Sequence, residues 1–585
     1  MQTSNSSLAK LLREVAAAYT IKKTGNVFEI RAYENAADSI EHLTSEIKDL
    51  WEEGKLDSVS GLGKTLRGYL DELFKTGKVK HFESVKKDIP EIVFDLLDVP
   101  GVGPKTAFEI SKFGVKNLKE LKGGIKSGDI VKKGFSAKIA ERILEGLEEL
   151  EGREGRMLLP YAFEQAQRIL EYLKKSKDVK DTHSLGSLRR MVATIGDLDF
   201  SVASENPSGV IEHFIKMPGV LNVVEKGEHS ASVVLQSGLH VDLLVGSPES
   251  YGALLQHFTG SKAHNIHLRT LAEKRGLSLS EYGVRRTSHS ERGNDVVVLK
   301  TEEEFYKLLG MDMPPPEIRE DSGEIEAALN HKLPDLVNIK DIKGDLHLHS
   351  NFPIINPSHA PGVDSIEDII EKAKKLGYEY VGISDHPPGH GTAGRKKIIE
   401  WVKLRTKFIQ DLKLKNKSIR VLNGLEIDIL PDGTLSVPDE ALALLDYCIA
   451  GIHSGHRGAH DVITKRIVDA LSNPYIDIIS HPTNRLLNER DSSKANWEEV
   501  FKICRDKGKL LEINGYPNRL DLRDDLVRDA KEMGVAFVID TDAHALNQMD
   551  NMKFGVSVAR RGWAEEKDIV NTWDWKKFAK WFKIL

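Results

Sequence analysis

The sequence predicts a multidomain chain of mixed α+β and α/β class: a helical N-terminal part, an α+β middle part and a C-terminal seven-stranded α/β barrel. Three observations predict it. Two segments repeat one order of apolar residue, Gly-x-Gly and helix, VSGLGKTLRGYLDEL and VPGVGPKTAFEISKFG. LGSLRRMVATIGDLDF joins a glycine-serine turn to an acid-bearing strand. From residue 341 short apolar runs alternate with helical ones, and nearly all of the runs end in His, Asp or Glu. A chain of 585 residues is long enough for several separately buried cores.

Leu8, Leu11, Leu12, Val15 and Tyr19, then Ile40, Leu43, Ile47 and Leu50, recur at helical spacing, which predicts core helices over 8–50. The glycine pairs follow, Gly61 with Gly63 and Gly101 with Gly103, the second trailed by Lys105. One Gly-x-Gly is most often only a turn. Two in matching settings look like helix-hairpin-helix motifs, which offer loop N–H groups and a helix N-terminus to a DNA phosphate without reading bases. Eight lysines between Ile110 and Ala140 outnumber Glu120 and Asp129. That stretch is either a solvated helical face or a surface tracking a nucleic-acid backbone. Residues 151–175 read as a charged connection and an amphipathic helix.

In the middle part Asp197 and Asp199 are alternate residues, so on a strand both carboxylates leave one face. Asp242 is the single acid of the apolar run GLHVDLLVG, where a charge is costly unless it meets a cation. Three such carboxylates can hold two metals. Gly186 and Ser187 can offer backbone N–H groups to a triphosphate, and Arg190 adds a planar cation. Asp-x-Asp by itself is common at strand ends, but the combination resembles the nucleotidyltransferase core of family X DNA polymerases.

That resemblance implies a palm with a thumb. Gly186, Ser187 and Arg190 would bind the triphosphate, and Asp197, Asp199 and Asp242 would be the catalytic ligands of two Mg2+ or Mn2+ ions. HFTGSKAHNIHLRTLAEK resembles the sugar-recognition and thumb segment. His257 and Phe258 stand for an aromatic pair that packs on the incoming sugar, with His where Tyr is familiar, and Gly260 lies in the turn that follows. Asn265 and Arg269, four apart on a helix face, would point toward nucleotide and template. Three further positions depart from the pattern. Met191 replaces a small glycine, Leu244 replaces an arginine two residues after the third acid, and Tyr69 stands where the family's lyase domain has a Schiff-base lysine. Lys64 is nearby, but nothing carries that role over to it. K+ or Na+ at the hairpins belongs to the same expectation.

The C-terminal runs are KGDLHLHS, YVGISDHP, VLNGLEIDI, YCIAGIHS, DIISHP, LLEING and AFVIDTDAH. Parallel barrels gather strand-end residues at one rim, here His347, His349, His386, Glu426, His453, His481, Asp542 and His544. Mixed nitrogen and oxygen donors suit Mn2+, Zn2+ or Fe. The series resembles the PHP (polymerase and histidinol phosphatase) domain. It implies a distorted (β/α)7 barrel that hydrolyses phosphate esters with metal assistance and, beside a family X polymerase, acts as a 3′-to-5′ exonuclease or DNA-end processing enzyme. The Ser-Asp-Gly turn usual after the second histidine is replaced by SNFPIINPSHAPGVD, in which His359 or Asp364 could take the missing ligand's place.

The expected boundaries are 1–150 for the lyase-like helical domain, 151–312 for palm and thumb, 313–340 for a proline-bearing, acidic linker or covering segment, and 341–585 for the PHP domain. No apolar run is long enough to cross a bilayer, no secretory signal is evident, and Cys448 and Cys504 support neither a disulfide framework nor a cysteine metal site. A monomer in the cytoplasm is expected, with gapped or primer-template DNA and deoxynucleoside triphosphates as partners and no membrane. Two other readings stay open: a DNA-end phosphoesterase whose polymerase half is only a DNA-binding platform, and a small-molecule phosphatase. Substituting the core acids separates the first from a working polymerase, and a nucleotide-free phosphatase assay tests the second.

Overall fold

The computed structural model describes residues 5–41, 47–52, 54–59, 62–99, 102–132, 134–151, 156–286, 296–354, 356–456 and 458–584. Each glycine-containing hairpin belongs to a helical unit with its own core. In the first, the helices Asn5–Lys22, Val27–Glu41, Lys64–Thr76 and Lys80–Lys86 bury Leu12, Val15, Ile40, Leu70 and Phe82. In the second, Glu91–Leu97, Pro104–Ser111, Leu118–Lys126 and Ala137–Glu151 bury Val93, Leu96, Ala107, Ile110 and Leu121. Gly63 and Gly103 cap Lys64–Thr76 and Pro104–Ser111 with nearly the same extended backbone, and a Cβ at either would meet nothing within 4 Å. The two helix N-termini are therefore open to a ligand. Lys105 is exposed on the second. Gly61 and Gly101 lie outside the described residues. Tyr69 stacks on His81 with ring centroids 4.9 Å apart and meets Phe82 edge-on, so the position of the family's lysine is built into an aromatic core.

The middle part is a five-stranded sheet in the order Asp181–Ser184, Leu198–Ala203, His240–Gly246, Ser230–Leu235, Val220–Lys226. Only the central pair, Leu198–Ala203 with His240–Gly246, is parallel. Helix Leu159–Leu173 buries Leu159, Ala162, Ala166, Ile169 and Leu173, a 3–4 spacing that turns one stripe toward this sheet. The thumb carries Tyr251–Thr259, Lys262–Lys274 and Glu302–Leu308.

The stretch after residue 312 packs as a covering segment. The prolines lead into a 3-10 turn, Pro316–Ile318, after which Arg319 is fully buried with Nη1 2.6 Å from Glu302 Oε1. Glu324 follows, 2.6 Å from buried His264 Nδ1, and Ile325 and Ala328 complete the thumb core. These buried charges are paired, as they must be to avoid a large desolvation cost.

The C-terminal part is a single sheet of seven parallel strands in chain order: Gly344–Asp345, Tyr380–Ile383, Arg420–Asp428, Tyr447–Gly451, Ile478–Ile479, Leu510–Asn514 and Ala536–Asp540. The first and last approach each other where Leu346 N donates to Asp540 Oδ1 at 2.7 Å and His349 N to the Ala543 carbonyl at 2.9 Å, leaving a nearly closed barrel. Buried on both faces, these strands read as continuous apolar runs rather than alternating ones. Palm and barrel share one apolar core, in which Phe163 meets Phe554 edge-on at 5.7 Å. Cys448 and Cys504 are buried apart in the barrel. Burial pushes both thiols up, that of Cys504 to about 12.

Candidate active sites

In the palm, the parallel pairing of Leu198–Ala203 with His240–Gly246 sets Asp199 directly opposite Asp242. The strand begins at Leu198, so Asp197 stands one residue before it, exposed, rather than within a strand as the alternation suggested. Burial, then Asp242 and Asp197, push the Asp199 carboxyl up to about 6. Like charges gathered this way call for a cation. Asp242 Oδ1 accepts a hydrogen bond from Ser232 Oγ, which fixes its rotamer.

Gly186 and Ser187 form the first turn of a short helix beside these acids, and Leu185 N donates to the Asp199 carbonyl at 2.8 Å. A Cβ at Gly186 would stand 3.1 Å from Asp199 Oδ2, and its φ is +55°, so glycine is needed twice over. Met191 has φ +54°, which explains why a glycine is familiar there and costs this chain about 1 kcal/mol of backbone strain. Leu244 packs with Leu185, Tyr251 and Leu254, so the missing arginine is replaced by an apolar contact. The rings of His257 and Phe258 lie 4.8 Å apart. Asn265 Nδ2 donates to the His257 carbonyl at 2.7 Å and Arg269 Nη2 approaches His257 Nδ1 at 3.5 Å, so both residues face that pair. Gly260, at φ +69°, lets the chain pass Arg190, whose Nη1 donates to the Thr259 carbonyl at 2.5 Å.

The barrel rim gathers all eight residues singled out there: His347, His349, His386, Glu426, His453, His481, Asp542 and His544. Glu426 is the hub. Its Oε1 lies 2.8 Å from His481 Nε2 and 3.2 Å from His453 Nε2, while its Oε2 lies 3.0 Å from His347 Nε2 and 3.1 Å from His386 Nε2. His349 Nε2 is 3.2 Å from Asp542 Oδ1, and its ring stacks on His544 at 4.1 Å. Burial works to raise the Glu426 and Asp542 carboxyls, but the facing imidazoles outweigh it and hold both well below the usual range. Buried Nε2 of His347 and Nδ1 of His349, His386 and His481 make no hydrogen bond. Orphaned buried nitrogens beside carboxylates at this spacing fit divalent cations.

Three residues escaped the sequence analysis. Glu512 Oε1 lies 2.6 Å from His347 Nδ1, and Asp428 Oδ1 lies 2.7 Å from His453 Nδ1, so each turns the opposite ring nitrogen toward Glu426. Arg519 Nε lies 3.5 Å from Asp542 Oδ2. Glu512 carried the same signal as Asp242, one acid in an apolar run, and Asp428 the same alternation as Asp199. Of the two substitutes for the missing turn, Asp364 Oδ2 accepts from Leu546 N. His359 reaches the rim instead, its Nε2 2.8 Å from Asp428 Oδ1 and its ring 4.4 Å from those of His386 and His453.

The chain is 36% identical over 96% of its length, and over 96% of the relative's, to the DNA polymerase/3′-5′ exonuclease PolX of Bacillus subtilis (strain 168). It belongs to the family X DNA polymerases that carry a PHP domain. Family patterns match along the chain: a helix-hairpin-helix domain over 3–79, a SAM-like helix-hairpin-helix tandem over 93–149, the DNA polymerase beta thumb over 254–320 and the PHP domain over 345–515. A probable phosphatase of Thermoanaerobacter sp. (strain X514) is 28% identical over 39% of the chain and 89% of its own length. DNA polymerase lambda of Arabidopsis thaliana is 26% identical over 49% of the chain and 57% of its own length. Members of this family use divalent metals. Among the described residues no helix is long and apolar enough to cross a membrane.

Proposed function

We propose that the chain fills short gaps in DNA at the palm and shortens or unblocks 3′-ends at the barrel rim, as two separate active sites. The observation that supports this best is the coexistence of two carboxylate-centred clusters, Asp197, Asp199 and Asp242 in the palm and the Glu426-centred rim, on different sheets of one chain. The working division is 1–150 for binding DNA, 151–312 for nucleotidyl transfer, 313–340 as the covering segment and 341–585 for phosphoesterase chemistry. The substrates are gapped or primer-template DNA and deoxynucleoside triphosphates, handled by a monomer in the cytoplasm.

Asp197, Asp199 and Asp242 would hold Mg2+ or Mn2+, and the rim would hold Mn2+, Zn2+ or Fe. When bound, these cations supply Lewis acidity and a more acidic water or hydroxyl. The residues do the remaining work. Gly186 and Ser187 give backbone donors and Arg190 a planar cation to the triphosphate. Phe258 and His257 flank the sugar, and Asn265 and Arg269 stiffen that pair. Gly63 and Gly103 open helix N-termini to a DNA phosphate, with Gly61, Gly101 and Lys105 as neighbouring positions in the sequence and K+ or Na+ as the accompanying ion. At the rim, Glu512 and Asp428 hold His347 and His453 in the orientation that presents Nε2 to the centre.

On a one-nucleotide gap with a 5′-phosphate, the protein adds one nucleotide when the matching triphosphate is present and shortens the 3′-end when it is withheld. Shortening without any addition, in Mg2+ and in Mn2+, would instead make the palm a DNA-binding platform. His359 takes the place of the missing turn ligand, so His359→Ala lowers the affinity of the rim for Mn2+ by about tenfold or more. Metal titration of the metal-stripped protein reads this directly, and an unchanged isotherm would leave the position to another residue.

A further inference from the structure

We propose that Arg561, a residue of the barrel domain, positions Arg190 in the nucleotide site by sharing Glu320 with it, which rests on the reading of Arg190 as a triphosphate binder. Glu320 follows the buried Arg319. Its Oε1 accepts from Arg190 Nε at 3.0 Å and from Arg561 Nη1 at 2.9 Å. Arg561 Nη1 also donates to the Arg190 carbonyl at 2.9 Å, and Arg561 Nε donates to Asp524 Oδ2 at 2.7 Å. The preceding residue, Arg560, grips the same segment through Glu317 Oε1 at 2.7 Å and the Val337 carbonyl at 3.0 Å. The end of helix Met552–Arg561 is thereby clamped onto the palm and thumb.

The geometry fixes the plane of the Arg190 guanidinium. Nε is held by Glu320 and Nη1 by the Thr259 carbonyl, which leaves Nη2 without a partner among the described residues. The side chains of Arg190 and Arg561 are 13% and 10% exposed, so water screens their charges weakly. Two guanidinium groups and two carboxylates, Glu320 and Asp524, balance here. A carboxylate drawn toward two cations neutralises neither fully. Without Arg561, Glu320 is free to turn both oxygens onto Arg190 as a bidentate pair, in direct competition with a phosphate. Affinity for the incoming nucleotide thus depends on a residue of the other catalytic domain.

The test is single-nucleotide incorporation on gapped DNA by the full chain, with KM for the triphosphate and kcat measured separately. Arg561→Ala raises KM about tenfold and leaves kcat within about twofold. Adding Glu320→Gln to it removes the competing carboxylate and returns KM to within about threefold of wild type. Shortening of 3′-ends, at a rim that Arg561 does not touch, continues at the wild-type rate in both. A purely structural role would not be repaired by neutralising Glu320. If Arg561→Ala fails to fold, Arg561→Lys replaces it. The lysine keeps Asp524 within reach but cannot hold Glu320 and the Arg190 carbonyl together, so it too raises KM. Arg190→Ala separates the two readings. If it raises KM while Arg561→Ala and Arg561→Lys do not, or if Glu320→Gln repairs nothing, the coupling is overturned. If Arg190→Ala leaves KM unchanged, the triphosphate role itself falls and the coupling with it.

Discussion

Glu426→Gln lowers 3′-end shortening by about a thousandfold and leaves gap filling intact. The amide keeps the shape of the side chain and removes the charge that two pairs of imidazoles face from opposite sides, His481 and His453 on Oε1 and His347 and His386 on Oε2. A carboxylate in that place would hold divalent cations with its charge, and a neutral amide would hold them far more weakly. Loss of several kcal/mol of transition-state stabilisation corresponds to about three orders of magnitude in rate. Metal retained through gel filtration, measured by elemental analysis, falls with the activity. Full metal content in an inactive variant would mean that Glu426 acts on the substrate and not on the cations. Unchanged shortening would remove the rim from the reaction.

Asp199→Asn abolishes nucleotide addition, with a loss of at least about a thousandfold in kcat/KM, and leaves shortening unchanged. Asp199 is the acid that the sheet sets opposite Asp242, and no other described carboxylate stands in register with that strand position. The same variant carries a stability signature of opposite sign. In metal-free buffer burial, Asp242 and Asp197 push the Asp199 carboxyl up to about 6, so its ionised form opposes folding. That cost is absent below the unfolded carboxyl range, grows as pH rises toward 6, and is complete above it. Asp199→Asn therefore melts at a higher temperature than wild type at pH 7.5, and the advantage disappears by about pH 4. Thermal melts at both pH values with a chelator present check this. A variant that is destabilised at pH 7.5 would show that the carboxylate is held by unseen favourable contacts.

The fold was legible because each part announces its period or its punctuation. Seven apolar runs became seven strands, since a strand covered on both faces has no polar alternation to blur it. The rim residues were legible because polar groups at the ends of such runs have no structural reason to be there. What stayed hidden depends on distances along the chain that no period records. Glu512 meets His347 across 165 residues, and Arg561 meets Glu320 across 241. Of the two readings left open for residues 313–340, linker or covering segment, the packing favours the covering one, and the partners that decide it are likewise far off along the chain. The segment's prolines and acids look like a linker, yet the acids Glu320 and Glu324 are there to pair with Arg190, Arg561 and His264. Asp197 shows the ordinary limit on element ends, because alternation places a residue on a face only while the strand lasts.

The claim that two independent sites share this chain is tested most directly on one gapped substrate, with a labelled primer and a 5′-phosphate on the downstream strand. Wild type, Asp197→Ala/Asp199→Ala and His347→Ala/His349→Ala are compared side by side with Mg2+ and with Mn2+. The first pair of substitutions is expected to remove extension and keep shortening, and the second to remove shortening and keep extension. If either pair removes both activities while the protein remains folded, the two clusters form one site and the account is wrong.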